Sequence, residues 1–431
     1  MRDKSFASTT APKNSNRSGT NRSIIIIGAL FFIFGFVTWL NSVLVPYLKI
    51  ACELNNFQSY FVVTAFYISY LVMALPSAWV LKVTGFKKGM SLGLLVMAVG
   101  ALIFVPAAYT RTYETFLVGL FVLGTGLAVL QTASNPYITI LGPIESAAKR
   151  ISIMGICNKV AGALAPLVLG AIVFKNTDNL VEELELMDVA DKAIVLNELS
   201  ERVVVPYLIM MGVLIILAVW IYFSPLPEVD TDSEDEVVAK SNINKKNIFQ
   251  FPHLLLGTLA MFLYVGVEVI AGDTVISYGA EQGIPLMDAK AFTSYTLIAM
   301  IVGYIIGIFT IPKYIKQERA LQISAILGIV LGLGAINTTG FISVLFISLL
   351  GLANAMVWPA IWPMAIAGLG RFTKIGSSFL IMAIAGGAIL PLFYGRLADM
   401  FDPQQAYWIV IPCYLFILFF ASKGYKIGRN L

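Results

Sequence analysis

Histidine occurs once in this sequence, at His253, and cysteine three times, at Cys52, Cys157 and Cys413. One histidine leaves no material for a His-rich metal site or for Ser-His-Asp chemistry. The cysteines have no ligand spacing and two lie inside apolar runs, so neither a disulfide framework nor a metal site is expected. Charge is scarce too. Asp, Glu, Lys and Arg make up 13% of 431 residues, against ~25% in ordinary soluble domains. The net charge of +4 is small and no basic stripe is clustered, which excludes a nucleic-acid binder. No Walker-type phosphate-binding loop is present, so ATP-driven transport by this chain alone is excluded.

What is abundant is apolar length: 58% of the residues are hydrophobic. A helix needs ~20 apolar residues to cross a bilayer core. Twelve runs meet that need. They are 24–48, 57–81, 88–108, 113–140, 150–174 and 203–223, then 252–278, 288–312, 320–337, 340–367, 372–396 and 404–422. They do not alternate as barrel strands would. Backbone polar groups in lipid must be satisfied within the segment, so each run is read as a helix. The fold class is an all-α integral membrane protein, with twelve transmembrane helices in two six-helix bundles.

The organisation follows. Residues 1–22 are a polar, disordered cytoplasmic tail, 23–223 the N-terminal bundle, 224–250 an acidic-then-basic cytoplasmic linker, 251–423 the C-terminal bundle and 424–431 a short tail. With both termini inside, 21 of the 29 Lys and Arg fall on the cytoplasmic side and 7 outside, and Lys159 lies within a helix. That split sets the orientation. Residues 175–202 form an acidic external loop, read as a solvated helical cap.

The halves echo each other. Gly162-Ala163-x-x-Pro166-Leu167-x-x-Gly170 in the fifth helix returns as Gly387-Ala388-x-x-Pro391-Leu392-x-x-Gly395 in the eleventh, 225 residues later. Pro136 and Leu141-Gly142 have looser counterparts in Pro359 and Leu369-Gly370. A repeat of this kind implies pseudo-symmetric bundles with a site between them near the midplane. The small residues are expected to serve close packing and rocking.

A charge within a membrane helix costs roughly 2.5–3.5 kcal/mol on insertion scales, so each one needs a reason. Three are deep: Lys159 in the fifth helix, Glu268 and Asp273 in the seventh. If Lys159 pairs with one carboxylate, the other is left for a proton or Na⁺ to neutralise. Glu268 is the first choice for ion coupling, being mid-helix beside Tyr264; Asp273 is nearer the helix end. Neutral polar groups gather as well: Asn41 in the first helix, Gln131 and Asn135 one turn apart on the fourth, Asn158 on the fifth, and Asn354 on the tenth with Trp358 and Trp362 along one face. Amides that donate and accept, with an aromatic face, suit a neutral polyhydroxylated solute; interhelical hydrogen bonding is the plainer use of any single amide. Trp39, Trp79, Trp220 and Trp408 are expected in packing or interfacial belts, and His253 at an interface.

Four segments resemble the major facilitator superfamily, and within it the fucose/galactose/hexose permease branch. They are GFVTWLNSVLVPYLK (35–49), FQSYFVVTAFYISYLVMALPSAWVLKVTGFKKGM (57–90), LQTASNPYITILGP (130–143) and KIGSSFLIMAIAGGAILPLFYGRLAD (374–399). The likeness extends from about 24 to 422. The basic turn GFKKG (85–89) is similar to the superfamily's turn between helices two and three. The stretch YVGVEVIAGD (264–273) looks like the hexose and N-acetylglucosamine permeases, while WPAIWP (358–363) is unusual for the family. Fucose-type members carry a carboxylate in the first helix and another in the fourth. Ser42 and Gln131 stand at the matching positions, so that proton pair does not carry over. Asn135, Asn158 and Asn354 match polar positions near the family's central cavity. The resemblance implies alternating-access import of a neutral monosaccharide, such as glucose, galactose or N-acetylglucosamine. It also implies H⁺ or Na⁺ coupling, no other cofactor, a monomer, and residence in a bacterial inner membrane. An uncoupled uniporter is the rival within that class; a polytopic enzyme or a sensor is the rival outside it.

Overall fold

A computed structural model describes residues 17–140, 147–175, 180–226, 247–311, 314–369 and 372–428. Twelve helical spans in it are long and apolar enough to cross a membrane: α1 Ser23–Ala51, α2 Asn56–Ala74, α3 Trp79–Thr110, α4 Tyr113–Ser134, α5 Ile153–Val173, α6 Val189–Phe223, α7 Pro252–Asp273, α8 Leu286–Thr310, α9 Gln317–Asn337, α10 Gly340–Ile366, α11 Phe379–Met400 and α12 Pro403–Ser422. The chain is a multi-pass membrane protein. With twelve spans, both ends of the chain emerge on one side, here termed the terminal face. The α1–α2, α7–α8 and α11–α12 turns lie on the opposite, loop face.

Some expected boundaries move. The first helix starts at Arg17, inside the stretch read as a polar tail. Of the linker, residues 227–246 lie outside the described residues, and Ile248–Gln250 form a 3₁₀ turn closed by an Asn247/Gln250 capping box. The final tail opens with a 3₁₀ turn, Gly424–Lys426. The basic turn after α2 is sharper than the sequence suggests. Helix continues on both sides of Gly85, which alone breaks it at φ 76° and ψ 171°, a backbone shape that glycine adopts without strain. The acidic external loop does form a helical cap. Val189–Glu201 buries Leu196 and Leu199 against the N-terminal bundle. Tyr47 donates to the Leu199 carbonyl at 2.6 Å, and Lys192 pairs with Glu53 at 2.6 Å.

Several spans are broken where they line the space between bundles. In α10 the helix stops at Asn354 and restarts at Val357. Pro359 has no N–H for the Ala355 carbonyl, which accounts for the break. Pro363 likewise orphans the Pro359 carbonyl, and Gln317 Nε2 from α9 supplies the missing donor at 2.6 Å. In α1 the break falls at Leu40, where Ser42 Oγ donates back to the Trp39 carbonyl at 2.8 Å. A helix after α7 restarts beyond Thr274, and α11 carries a 3₁₀ turn at Ala383–Ala385.

The repeat has a structural counterpart. A Cβ at Gly162 would strike Trp39 of α1 and Leu297 of α8; one at Gly387 would strike Val269 of α7 and Tyr67 of α2. Gly170 abuts Lys290, and Gly395 abuts Tyr60. The partner residues are 230 apart in each case. Gly162 and Gly387 therefore let α5 and α11 approach the first helix of their own bundle and the second helix of the other, and Gly170 and Gly395 extend the approach to that second helix. The looser repeat lies partly outside the described residues, at 141–142 and 370.

Candidate functional site

The loop-face half of the interface between bundles is closed by polar contacts. Ser294 Oγ of α8 donates to the Ala163 carbonyl of α5 at 2.5 Å, and Thr64 Oγ1 of α2 donates to the Ala388 carbonyl of α11 at 2.7 Å. These two bonds are repeat mates, each built on the residue after a repeat glycine. Beyond them, the Asp399 carboxylate of α11 accepts from the backbone N–H groups of Asn56 and Phe57 at 3.1 and 2.8 Å. Those groups open α2, where free N–H donors and the helix dipole favour an anion. Lys49 and Glu281 complete the rim at 3.2 Å.

Below this seal the sequence-expected charges meet. Lys159 Nζ lies 2.6 Å from Glu268 Oε1, with the two side chains 9% and 13% exposed. The same ammonium sits 4.7 Å from the Trp39 ring centroid, a geometry in which the ring face attracts a cation. Asp273 is within electrostatic range of both Lys159 and Glu268. It is fully buried, and neither of its carboxylate oxygens has a hydrogen-bond partner. The sequence left open which carboxylate pairs with Lys159, and the structure pairs it with Glu268. Glu268 holds the lysine and Asp273 is left over.

Toward the terminal face the groups become partly exposed. Trp358 and Trp362 stack at 5.5 Å and 24°, and Tyr264 lies 6.4 Å from Trp358. Tyr264 in turn faces Glu268. From the N-terminal bundle, Gln131 Nε2 donates to Tyr70 at 2.9 Å, and Tyr70 stacks on Tyr67. Tyr67 is within electrostatic range of Asp273 and Glu268. Ring contacts thus run from the tryptophan pair to Tyr264 on one side of the charges, and from Tyr67 through Tyr70 to Gln131 on the other.

Other expected residues fall elsewhere. Asn158 is half-buried, and its Nδ2 donates to the Phe31 carbonyl of α1 at 3.3 Å. Asn41 is buried at the α1 break with Nδ2 unpartnered. Asn354 is fully buried and accepts from Tyr414 of α12 at 2.8 Å, inside the C-terminal bundle rather than at the partly exposed surface. The side chain of Asn135 lies outside the described residues. His253 is buried rather than interfacial, its Nε2 2.9 Å from the Ala367 carbonyl oxygen. Trp79, Trp220 and Trp408 are exposed on the bundle surface, as belt residues are. Trp39 is in the core against the lysine. Sequence reasoning missed it, along with Thr64, Tyr67 and Ser294. A signal existed: Tyr60, Thr64 and Tyr67 fall at i, i+4 and i+7, one polar stripe on an otherwise apolar helix. Among the described residues no group of three His, Cys, Asp or Glu side chains could hold a metal.

Twelve helices in two repeat-related bundles, with a charged pair buried between them, define a secondary transporter. A family model described as Major Facilitator Superfamily matches residues 27–372, and the chain belongs to that superfamily. It is 34% identical over 417 residues to a glucose/galactose transporter of Brucella abortus, covering 96% of this chain and 97% of that one. It is 29% identical to the L-fucose-proton symporter of Escherichia coli, with 96% of each covered. The solved structure of the transporter FucP in the outward conformation superposes with a TM-score of 0.69 at 26% identity, over 96% of this chain and all of that one. These relatives are transporters, not enzymes.

Proposed function

We propose that the protein imports a neutral hexose of the glucose/galactose type across a bacterial inner membrane by alternating access, driven by a cation gradient. The observation that carries the reading is the stacked Trp358–Trp362 pair, partly exposed and linked through Tyr264 to the buried Lys159–Glu268 pair. An indole face covers the apolar face of a pyranose. Gln131, at the end of the ring contacts from the other bundle, offers the amide that hydroxyl groups need. Asn158 and Asn41 stand along the same interface as further amides; Asn135 is a candidate by position. The lysine charge is already matched by Glu268, which leaves no spare cation for an anionic solute. The name of the Brucella relative supports the same substrate class.

The terminal face is cytoplasmic in this reading, because most Lys and Arg flank it. The conformation described here is then closed to the outside. Its sealed layer joins α2 to α11 and α5 to α8, and its amide and tryptophan groups open toward the cytoplasm.

Counterflow in proteoliposomes with a panel of labelled monosaccharides, run with and without imposed H⁺ and Na⁺ gradients, tests the proposal. Exchange of glucose or galactose, with gradient-dependent accumulation, is the expected result. Uptake restricted to carboxylates or phosphates refutes the substrate class, and exchange without accumulation under any gradient refutes the coupling.

A further inference from the structure

We propose that Asp273 carries the coupling proton, and that loading it permits the loop-face gate to close. The inference rests on the cation-driven import proposed above and names the ion and its seat. Asp273 is the last residue of α7 and is fully buried, with both oxygens unpartnered. Three neighbouring donors are committed elsewhere. Thr293 donates to the Gly272 carbonyl, Thr274 is shared between the Ile270 carbonyl and Tyr407, and Lys159 is held by Glu268. A bare carboxylate charge left in such a place costs several kcal/mol, whereas the protonated group costs far less. Asp273 is therefore neutral in this closed state.

Part of the cover around Asp273 comes from the other bundle. Trp39 of α1 packs so closely on the adjacent Gly272 that a Cβ there would lie 2.0 Å from the indole. Tyr67 and Tyr60 of α2, which pack on Gly387 and Gly395 of α11, are within electrostatic range of Asp273. Parting the bundles at the loop face removes this cover and exposes the carboxylate to external water. Closing them again requires the proton first. A proton suits the site better than Na⁺. It needs one lone pair, while a hard cation needs several converging oxygens, and the carbonyls of Ile270 and Gly272 already accept hydroxyl donors. Release has a route that balances. Lys159 turns from Glu268 to Asp273, the proton passes to Glu268, and Glu268, the most exposed of the three, gives it to the cytoplasmic side. The triad is neutral when loaded and carries −1 when empty.

The groups able to impose pH dependence here are Lys159 on α5, Glu268 on α7, and Tyr60 and Tyr67 on α2. Asp399 and the Lys49–Glu281 pair sit at the rim. The test places one cysteine at Ser277, just beyond α7 and buried in the closed gate, in a protein whose Cys52, Cys157 and Cys413 are replaced by serine. Its labelling by a membrane-impermeant reagent, normalised to an exposed control cysteine, reads gate opening without any sugar. The expected result is labelling that rises about tenfold or more from pH 5 to pH 9, equivalent to at least ~1.4 kcal/mol. With Asp273→Asn, which mimics the loaded group, labelling stays low at every pH, and sugar-driven proton entry read by an internal pH dye is lost. pH-independent labelling with Asp273 intact overturns the proposal, and needs no variant at that position. So does pH dependence that survives Asp273→Asn, which assigns it to the rim. Accumulation driven by Na⁺ alone overturns the choice of ion. Because labelling needs no substrate, a wrong sugar leaves this outcome legible.

Discussion

Removing Lys159 separates a static ion pair from a working one. In Lys159→Ala the Glu268 carboxylate loses a partner at 2.6 Å in a site where both side chains are about nine-tenths buried. Breaking such a pair by deleting one member costs ~3–5 kcal/mol, because the survivor is left uncompensated. The slight exposure of Glu268 favours the lower end of that range. Loss of the ammonium over Trp39 adds ~0.5–2 kcal/mol. Glu268→Gln is the milder change, because Asp273 is also within electrostatic range of Lys159 and can take the ammonium. Lys159→Ala combined with Glu268→Gln removes both charges and leaves no stranded ion. The expected order of thermal stability in detergent is wild type, then the double variant, then Glu268→Gln, then Lys159→Ala. In counterflow, Lys159→Ala is lowest and the double variant recovers part of the exchange. A double variant whose loss equals the sum of the two single losses would refute the reasoning, since no coupling energy would then be present.

Leucine at Trp358 or Trp362 is expected to weaken sugar affinity several-fold, a loss of ~0.5–1.5 kcal/mol, read from the counterflow KM; unchanged affinity in both variants removes the stacking role. Thr64→Val and Ser294→Ala each delete one hydroxyl–carbonyl bond across the gate, worth ~1 kcal/mol. Both should raise labelling of the gate cysteine about fivefold and by similar factors, and an effect of only one breaks the proposed equivalence of the repeat. Gln317→Ala strips the Pro359 carbonyl of its donor and should lower thermal stability by ~1–3 kcal/mol, with Gln317→Asn failing to restore it because its shorter chain falls short. Burial pushes the Cys52 thiol, which lies between α1 and α2, up to about 11. It should therefore alkylate at least tenfold more slowly at pH 8 than an exposed cysteine, and equal rates contradict that placement.

The twelve spans, the two bundles and the glycine repeat were legible because they obey rules that act along the chain: run length, charge asymmetry and fixed displacement. The site was legible only in part. Lys159, Glu268 and Asp273 announce themselves as charges in apolar runs, yet their pairing depends on how α5 meets α7 across the interface. That is set by Gly162 and Gly272 admitting Trp39, a contact no local pattern encodes. Proximity to a helix end made Asp273 look wet. The restart of helix after Thr274 and the cover from α1 and α2 make it dry. Asn354 looked like a cavity residue because it shares a face with Trp358. The break that Pro359 imposes between them lets the two face different ways, so the rule of four residues per turn fails at that point. His253 follows the same logic: a residue at a helix entrance is interfacial only when nothing folds over it.

The repeat also separates what moves the protein from what drives it. The inner part of the loop-face seal comes in mates, Gly162 with Gly387, Gly170 with Gly395, and Ser294 bonding Ala163 with Thr64 bonding Ala388, whereas the Asp399 and Lys49–Glu281 contacts at the rim do not. Matched contacts of similar energy on either side of the axis let the bundles rock apart without favouring one side. The charged groups have no such mates. At the displacement of 225 that relates α5 to α11, Lys159 corresponds to Ile384. At the displacement of 230 that relates α1 to α7, Glu268 and Asp273 correspond to Thr38 and Val43. A symmetric gate opens and closes but has no reason to bind an ion. The direction of transport must come from groups that occur once, and Lys159, Glu268 and Asp273 form one such triad between the bundles. Substitutions at the mated positions should therefore change rates in both directions alike, while substitutions within the triad should change the ratio of accumulated to external sugar.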